Sequence, residues 1–401
     1  MKKIVSILLV LLIMLTCIQQ QGYAVEKEEE VRKVVQHQTS QVYITKKEIP
    51  DFIARFEFNS GLTFQYPDAV RGIYVSGHSA GGERFSQLVK LIDESDLNAM
   101  VIDVKEDFGF LTYQPDENSA YKKIGKDYIK SPRKMLETLE EKQIYPIARV
   151  VVFKDTELAK NRPDLSFKDG DEVWVNRRGE SFVNPFLKEV WDYNVGIAIE
   201  AAKLGFQEIQ FDYVRFPEGF EKRDNTLSYD MGEYKNSDES NVQKRVAAVT
   251  DFVKYAKDKL EPYNVKVSVD IFGYTATLPE APGIGQNFSK ISDHVDVISS
   301  MIYPSHWTSY FGIPRPDLEP YRLVSEYAKV ENYKLNQLEN RPISRPWIQD
   351  FTATWLGKGN YTKYGKQEIE AQIKGLNDQG IQEFLLWNAG NYYTNGVDYT
   401  P

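Results

Sequence analysis

The chain has 401 residues and a net charge of -9 at neutral pH, with 58 acidic against 49 basic side chains, so it lacks the basic surface a nucleic-acid partner requires. One cysteine, Cys17, and four histidines leave few soft metal ligands and no disulfide; no metal or other cofactor is expected, and stability must come from the core. The 25 Tyr, 21 Phe and 6 Trp fit an ordinary globular enzyme with aromatic faces of the kind on which sugar rings stack.

The first 24 residues read as a secretory signal peptide: Lys2 and Lys3, an apolar stretch over 4–15, then Gly22, Tyr23 and Ala24 before the cleavage point. That stretch is shorter than the ~20 residues of a spanning helix. The expected protein is therefore secreted or held on the outer face of the cell envelope. Cys17, preceded by Thr16, offers the alternative of a lipid anchor, the one expected route to membrane contact. Residues 25–66 form a charged spacer and N-terminal extension, with 26–40 highly charged and without apolar period. The folded domain is expected over 67–401, where no Pro/Gly/Ser-rich linker interrupts it.

Within that domain, short β-rich apolar runs recur at 72–76, 99–104, 145–153, 208–214, 265–272, 295–303, 346–351 and 383–387. Eight such runs separated by helical patterns predict an α/β fold, a closed (β/α)8 TIM barrel. Ser131-Pro132 and Asn184-Pro185 each read as an N-cap followed by proline at the first helical position; Gly205 and Gly380 fall at helix ends, and 245–260 is a further helix. The crossover 275–294 has room for a short helix at most. After the last strand about 14 residues remain, too few for a comfortable eighth helix.

Reactive groups of such a barrel lie at the C-terminal strand ends. Those ends present Asp103 and Lys105, Arg149, Asp212 and Arg215, Asp270, Tyr303 with His306 and Trp307, Asp350, and Trp387 with Asn388. Period-two alternation turns Ile209 and Phe211 to the helices and Gln210 and Asp212 inward; likewise Val267, Val269 and Ile271 face outward and Ser268 and Asp270 inward. Strands ~4.8 Å apart bring two carboxylates near the ~5–5.5 Å separation of retaining glycosidases. Asp212 is the expected nucleophile and Asp270 the acid/base, with Asp350 and Asp103 as alternatives for the second role. Arg215 is placed to keep a nearby carboxylate ionised, the plainer alternative being an ion pair with Asp212. Lys105 is expected to pair with Asp103 or Asp107 or to hold a substrate oxygen. Arg149, His306, Asn388 and the aromatic residues Tyr303, Trp307 and Trp387 are expected along a sugar cleft.

Gly77-His78-Ser79-Ala80-Gly81 matches the G-x-S-x-G elbow of serine esterases. A triad would have to draw on Asp270 or Asp296 and on His294 or His306. Too few residues precede the elbow for the strands such a fold requires, and they contain no Gly-rich oxyanion loop. The turn reads better as the first strand-to-helix loop.

Arg71-Gly72-Ile73-Tyr74, Val101-Ile102-Asp103-Val104-Lys105, Phe211-Asp212-Tyr213-Val214-Arg215-Phe216-Pro217, Asp270-Ile271-Phe272-Gly273 and Met301-Ile302-Tyr303-Pro304 together resemble a bacterial family of glycoside hydrolase-like domains long catalogued as a domain of unknown function. The resemblance runs from about Tyr66 to the C-terminus. It implies a TIM barrel distantly similar to those of α-amylases and α-galactosidases, in which an aspartate ending the fourth strand is the nucleophile, here Asp212. The acid/base of α-amylases is a glutamate after the fifth strand, where this chain offers Asp270. The implied activity is hydrolysis of an extracellular or cell-envelope polysaccharide, and the alternative is a catalytically silent, sugar-binding barrel.

Overall fold

The computed structural model describes residues 57–400. The signal segment, Cys17 and the spacer as far as residue 56 lie outside the described residues. Eight parallel strands close into a barrel: β1 (Arg71–Val75), β2 (Ala99–Lys105), β3 (Tyr145–Val151), β4 (Glu208–Asp212), β5 (Lys266–Phe272), β6 (Val297–Met301), β7 and β8 (Phe384–Trp387). Strand β7 comes in two pieces, Ile343–Ser344 and Trp347–Gln349, because Pro346 has no N–H to give to a ladder. Each strand bonds to the next, and β8 returns to β1 with Leu385 opposite Gly72. At that seam a Cβ on Gly72 would lie 2.7 Å from Leu385 Cδ2, so the inward position of β1 has room for glycine alone.

The alternation read from sequence divides the strands between two apolar clusters. Val101, Ile147, Trp347 and Leu385 fill the barrel, while Ile102, Ile209, Phe211, Val267 and Val269 pack outward against helices. One strand departs from it. In β2 the register passes from Asp103 opposite Arg149 to Lys105 opposite Val150, a bulge that inserts one residue and reverses the facing of Lys105.

Among the described residues each of the seven crossovers carries a helix packed along the barrel: α1 (Arg84–Asp93), α2 (Pro132–Glu141), α3 (Lys188–Leu204), α4 (Asn241–Leu260), α5 (Phe288–Ser292), α6 (Pro320–Leu335) and α7 (Lys366–Asn377); two further short helices, Gly77–Gly81 and Thr156–Asn161, follow β1 and β3. Residues 388–400 hold no helix, and α5 is the short helix the fifth crossover allowed. Pro132 opens α2 as expected, although the Ser131 side chain makes no cap bond. Helix α3 starts three residues beyond Pro185, because Asn184 Oδ1 accepts the Phe186 N–H and its amide donates to the Asp230 carbonyl, fixing a turn instead of a cap. Helix α4 begins ahead of Arg245, where the Ser240 hydroxyl accepts the Gln243 N–H. On its inner face Phe252 meets Phe153, Phe211 and Trp191 edge-on at 5.1, 5.5 and 6.2 Å, contacts worth ~0.5–1.5 kcal/mol each beyond area burial.

Ordered contacts with the barrel begin before residue 67: Phe58 N–H donates to the Pro262 carbonyl, and Leu62 is buried in the outer cluster. On the opposite, C-terminal face two long loops rise. The loop after β3 carries a small hairpin, Lys168–Asp169 with Glu172–Val173. Its Phe167 packs on Phe220 and Tyr229 of the loop after β4 at 4.7 and 5.5 Å, so the two loops share an aromatic core and stand as one wall.

Candidate active site

Asp212 is the last residue of β4, and the strand stops there because Tyr213 turns to φ +53°, the left-handed region. Its Oδ1 accepts the N–H of Tyr213 at 2.6 Å. Its Oδ2 accepts two N–H groups of Arg149 from β3, Nε at 3.0 Å and Nη2 at 2.6 Å. The same guanidinium donates through Nη1 to Asp103 Oδ1 at 2.7 Å and through Nη2 to Asp107 Oδ1 at 3.0 Å. Tyr74 of β1 donates its hydroxyl to the other oxygen of Asp103 at 2.5 Å. Four neighbouring strand ends are thereby tied by one planar cation whose donor fork matches carboxylates.

Asp270 occupies the next strand. Continuing the β4–β5 register beyond Phe211 opposite Val269 sets it beside Asp212. It is buried, and its Oδ1 accepts the indole N–H of Trp347 at 2.8 Å. Burial and then the neighbouring charge of Asp212 push the Asp270 carboxyl well above the usual carboxylate range, against the indole and Arg149, which favours its protonated form. Asp107 is the reverse case. Burial opposes its ionisation, but Arg149 and Lys154 outweigh it and lower the group to about 2. Lys154 closes the network with bonds to Asp107 at 3.0 Å and Glu180 at 2.8 Å. Among the described residues no group of three or more His, Cys, Asp or Glu side chains is arranged to hold a metal ion.

Residues 72–393 match a family model described as "Putative glycosyl hydrolase domain". The chain belongs to this family. The glycosyl hydrolase domain thus takes in the barrel from the second residue of β1, with every carboxylate of the Arg149 network. Comparison with curated proteins gives no match. Among solved structures the chain is similar to the glycoside hydrolase domain of PgaB (BpsB) from Bordetella bronchiseptica, at 12% identity and a TM-score of 0.56, over 80% of this chain and 94% of that one. It is also similar to a β-galactosidase from the psychrophilic Marinomonas ef1, at 12% identity and a TM-score of 0.51, over 80% of this chain and 54% of that one. A hypothetical protein from Ruminiclostridium thermocellum ATCC 27405 is 30% identical over 49% of this chain and 96% of its own length, with a TM-score of 0.42. The first two likenesses are of fold, the (β/α)8 barrel of glycoside hydrolases.

The mouth of this glycosyl hydrolase domain assembles Asp103, Arg149, Asp212 and Asp270 from the residues expected there, with Tyr303 and Trp387 beside them. Tyr303 is buried and lies 6.4 Å from Trp387, which stacks on Tyr74 at 4.2 Å. Other expectations need correcting. Lys105 is buried outside the barrel, paired with Asp155 at 2.6 Å and bonded to Asn194 Oδ1 and the Val151 carbonyl; the β2 bulge turned it away, so it holds no substrate oxygen. Arg215 does not bond Asp212, whose partner is Arg149. Its guanidinium lies over the Phe272 and Tyr213 rings at 4.7 and 4.8 Å and reaches Glu218 at 3.4 Å. Trp307 packs on Tyr310, Phe311 and Tyr327, toward the helical layer. Asn388 donates its amide to the carbonyls of Asp350 and Tyr392, and Asp350 accepts Thr394 N–H and hydroxyl, so both fasten the C-terminal tail. His306 is exposed, with Nδ1 3.0 Å from the Ser305 hydroxyl.

The elbow motif is a capped helical turn, Gly77–Gly81, in which Ser76 Oγ accepts the Ser79 N–H. Its histidine, His78, lies tilted over Tyr128 at 3.8 Å, His306 pairs with the Ser305 hydroxyl, and His294 precedes β6 at the other end of the barrel, so among the described residues none of these histidines is placed as a base for Ser79. Sequence reasoning missed Tyr74, Lys154, Glu180 and Trp347. Tyr74 was within reach, since it shares the inward parity of Gly72; Lys154 and Glu180 meet only through the long loop after β3, for which no strand pattern exists.

Proposed function

We propose that this domain is an exported, retaining glycoside hydrolase that cleaves an extracellular or cell-envelope polysaccharide, with Asp212 as nucleophile and Asp270 as acid/base. The observation that carries the reading is the contrast between two neighbouring carboxyls: Asp212 accepts two bonds from a guanidinium, whereas Asp270 is buried beside it with an indole N–H as its hydrogen-bond partner, surroundings that favour its protonated form. That contrast is what a two-carboxylate mechanism needs. Asp212 attacks the anomeric carbon to form a glycosyl-enzyme bond while Asp270, whose Oδ1 is taken by Trp347, gives the proton on Oδ2 to the departing glycosidic oxygen. Asp270, now a carboxylate, then takes a proton from the water that attacks the anomeric carbon and frees Asp212. Arg149 and Asp103 position the nucleophile, and Trp387 and Tyr303 supply aromatic surface for the sugar. The signal segment and the negative charge support export and a polysaccharide partner.

A second reading is a sugar-binding barrel without turnover. It is favoured by one feature, that both oxygens of Asp212 already accept hydrogen bonds. Both are tested by incubating the purified protein and its Asp212→Asn variant with a panel of cell-wall and exopolysaccharides. Reducing ends released by the wild type alone, with the anomeric configuration of the first product retained, support the hydrolase. Binding without release by either protein supports the second reading.

A further inference from the structure

Exposed apolar side chains that gather in one patch mark ligand grooves, whereas those scattered singly need no explanation. Four of this domain's exposed aromatics sit on loops at the C-terminal face: Phe108 after β2, Tyr274 after β5, Trp355 after β7 and Tyr392 after β8. Of these Trp355 is set apart by the rings behind it. Its ring stacks on Phe351 with centroids 5.8 Å apart and planes 22° from parallel. Phe351 meets Tyr303 at 6.0 Å, Tyr303 meets Trp387 at 6.4 Å, and Trp387 stacks on Tyr74, the hydroxyl partner of Asp103. The aromatic file therefore runs from the rim to the network that grips Asp212, through half-buried Phe351, buried Tyr303 and half-buried Trp387. His306 flanks it, edge-on to Phe351 and Trp355 at 6.3 and 6.2 Å.

Packing does not account for Trp355, which is 63% exposed. Nor is its turn loose: Ala353 beside it is fully buried, and the turn Thr354–Leu356 is closed by Gly357 N–H on the Thr354 carbonyl at 3.2 Å. A rigid indole with one face backed and the other open is the form of a sugar platform, because a flat apolar surface already fixed in place binds a pyranose face at little cost in ordering. The rings behind it, in contact at 4.2 to 6.4 Å, brace the platform and link it to the mouth.

We propose that Trp355 is an outlying subsite on the β7 side of the mouth, that the polysaccharide descends from it past Phe351 to Trp387, and that the domain thereby selects chains of several pyranose units over short glycosides. This rests on the glycosidase reading for the identity of its occupant, a polysaccharide with flat, equatorially substituted rings. The test measures affinities of soluble glucose and N-acetylglucosamine oligomers, disaccharide to hexasaccharide, for the Asp212→Asn protein with and without Trp355→Ala or Trp355→Phe. Calorimetry gives the affinities, and the fluorescence change lost on replacing Trp355 separates its signal from that of the other five tryptophans.

A hexasaccharide should bind roughly tenfold more weakly after Trp355→Ala, the disaccharide should be unaffected, and Trp355→Phe should restore most of the loss. Equal effects on short and long oligomers, no effect on either, or no oligomer bound at all would overturn the proposal. If long oligomers bind through Trp355 but the wild type cleaves none, the subsite stands and the hydrolase reading falls. If the wild type cleaves oligomers with a length dependence that Trp355→Ala leaves unchanged, only the subsite falls.

Discussion

The two ends of this barrel are built from the same parts. At the C-terminal end Arg149 bridges Asp103 and Asp212, and Tyr74 donates to Asp103. At the N-terminal end Arg345 bridges Glu208 at 2.7 Å and Glu383 at 2.8 Å, and Tyr66 donates to Glu383 at 2.9 Å. The lower network is the more buried at its charges: Arg345 and Glu208 are fully buried, while Glu383 borders a shallow surface cavity and Tyr66 is half-buried. The upper one opens through Asp107, whose side chain is 38% exposed, and it lies beside the buried carboxyl of Asp270 and a file of aromatic rings. An arginine among carboxylates is thus no mark of function on its own. What differs between the two constellations is their setting: the proposed catalytic one has an exposed carboxylate edge and a second buried carboxyl beside it, and the lower one has neither.

That contrast is broken most forcefully by Asp212→Asn. Turnover is expected to fall at least ~10³-fold, ~4 kcal/mol of barrier, while the loss of stability in urea unfolding stays well below that, since the amide oxygen still accepts from Arg149 and only the bond from the Tyr213 N–H is lost. A rate near that of the wild type would remove Asp212 from the chemistry. The counterpart below is Arg345→Met. It leaves Glu208 and Glu383 without their cation, Glu383 keeping only the Tyr66 hydroxyl, and should cost about 3–5 kcal/mol of stability, measured by chemical unfolding, with kcat/KM unchanged for the molecules that remain folded. Equal losses of activity at the two ends would show that this setting does not separate a structural network from a reactive one.

The order of strands and helices was legible in the sequence because each strand of a barrel buries a continuous apolar run and each crossover needs a helix. The inward setting of Asp212 and Asp270 followed from parity alone. Parity failed at Lys105, since a one-residue bulge leaves no trace in an apolar run, and the expected substrate ligand is instead a buried ion pair outside the barrel. Arg215 failed for a different reason: three residues after Asp212 is close in sequence, but the left-handed turn at Tyr213 sends the chain away. Its place is taken by Arg149, from the neighbouring strand, whose long reach across the mouth no spacing rule encodes. Lower down, Arg345 and Glu383 were invisible as a pair because 38 residues separate them and the two pieces of β7 disguise their shared level.

The tyrosines offer a finer test. Tyr74→Phe leaves one buried oxygen of Asp103 without its donor, a loss of about 1–3 kcal/mol, and should also lower kcat several-fold by loosening Arg149. Tyr66→Phe is expected to cost similar stability with kcat untouched. A fall in kcat for Tyr66→Phe would mean that the lower network reaches the mouth through the barrel core, and the two ends would have to be treated as one system.

The smallest expected effect is on the dependence of stability on pH, and it distinguishes groups within the upper end. Asp270 is raised in the folded chain, so between its unfolded value near 4 and its folded value the native protein holds a proton that the unfolded chain has released. The stabilisation is complete below that unfolded value and is lost as pH rises through the folded one. Asp107, lowered to about 2, acts in the opposite sense: its contribution is present above about 4 and disappears as pH falls toward 2. Asp270→Asn should therefore flatten the alkaline decline of stability and leave the acid decline in place, and Asp107→Asn should do the reverse. The alkaline limb of kcat/KM should track the same proton on Asp270, because the acid that leaves the rate is the acid that leaves the fold. If that limb stayed in place while the stability curve flattened in Asp270→Asn, Asp270 would be a buried structural acid and the proton donor would have to be sought among the groups nearer the rim.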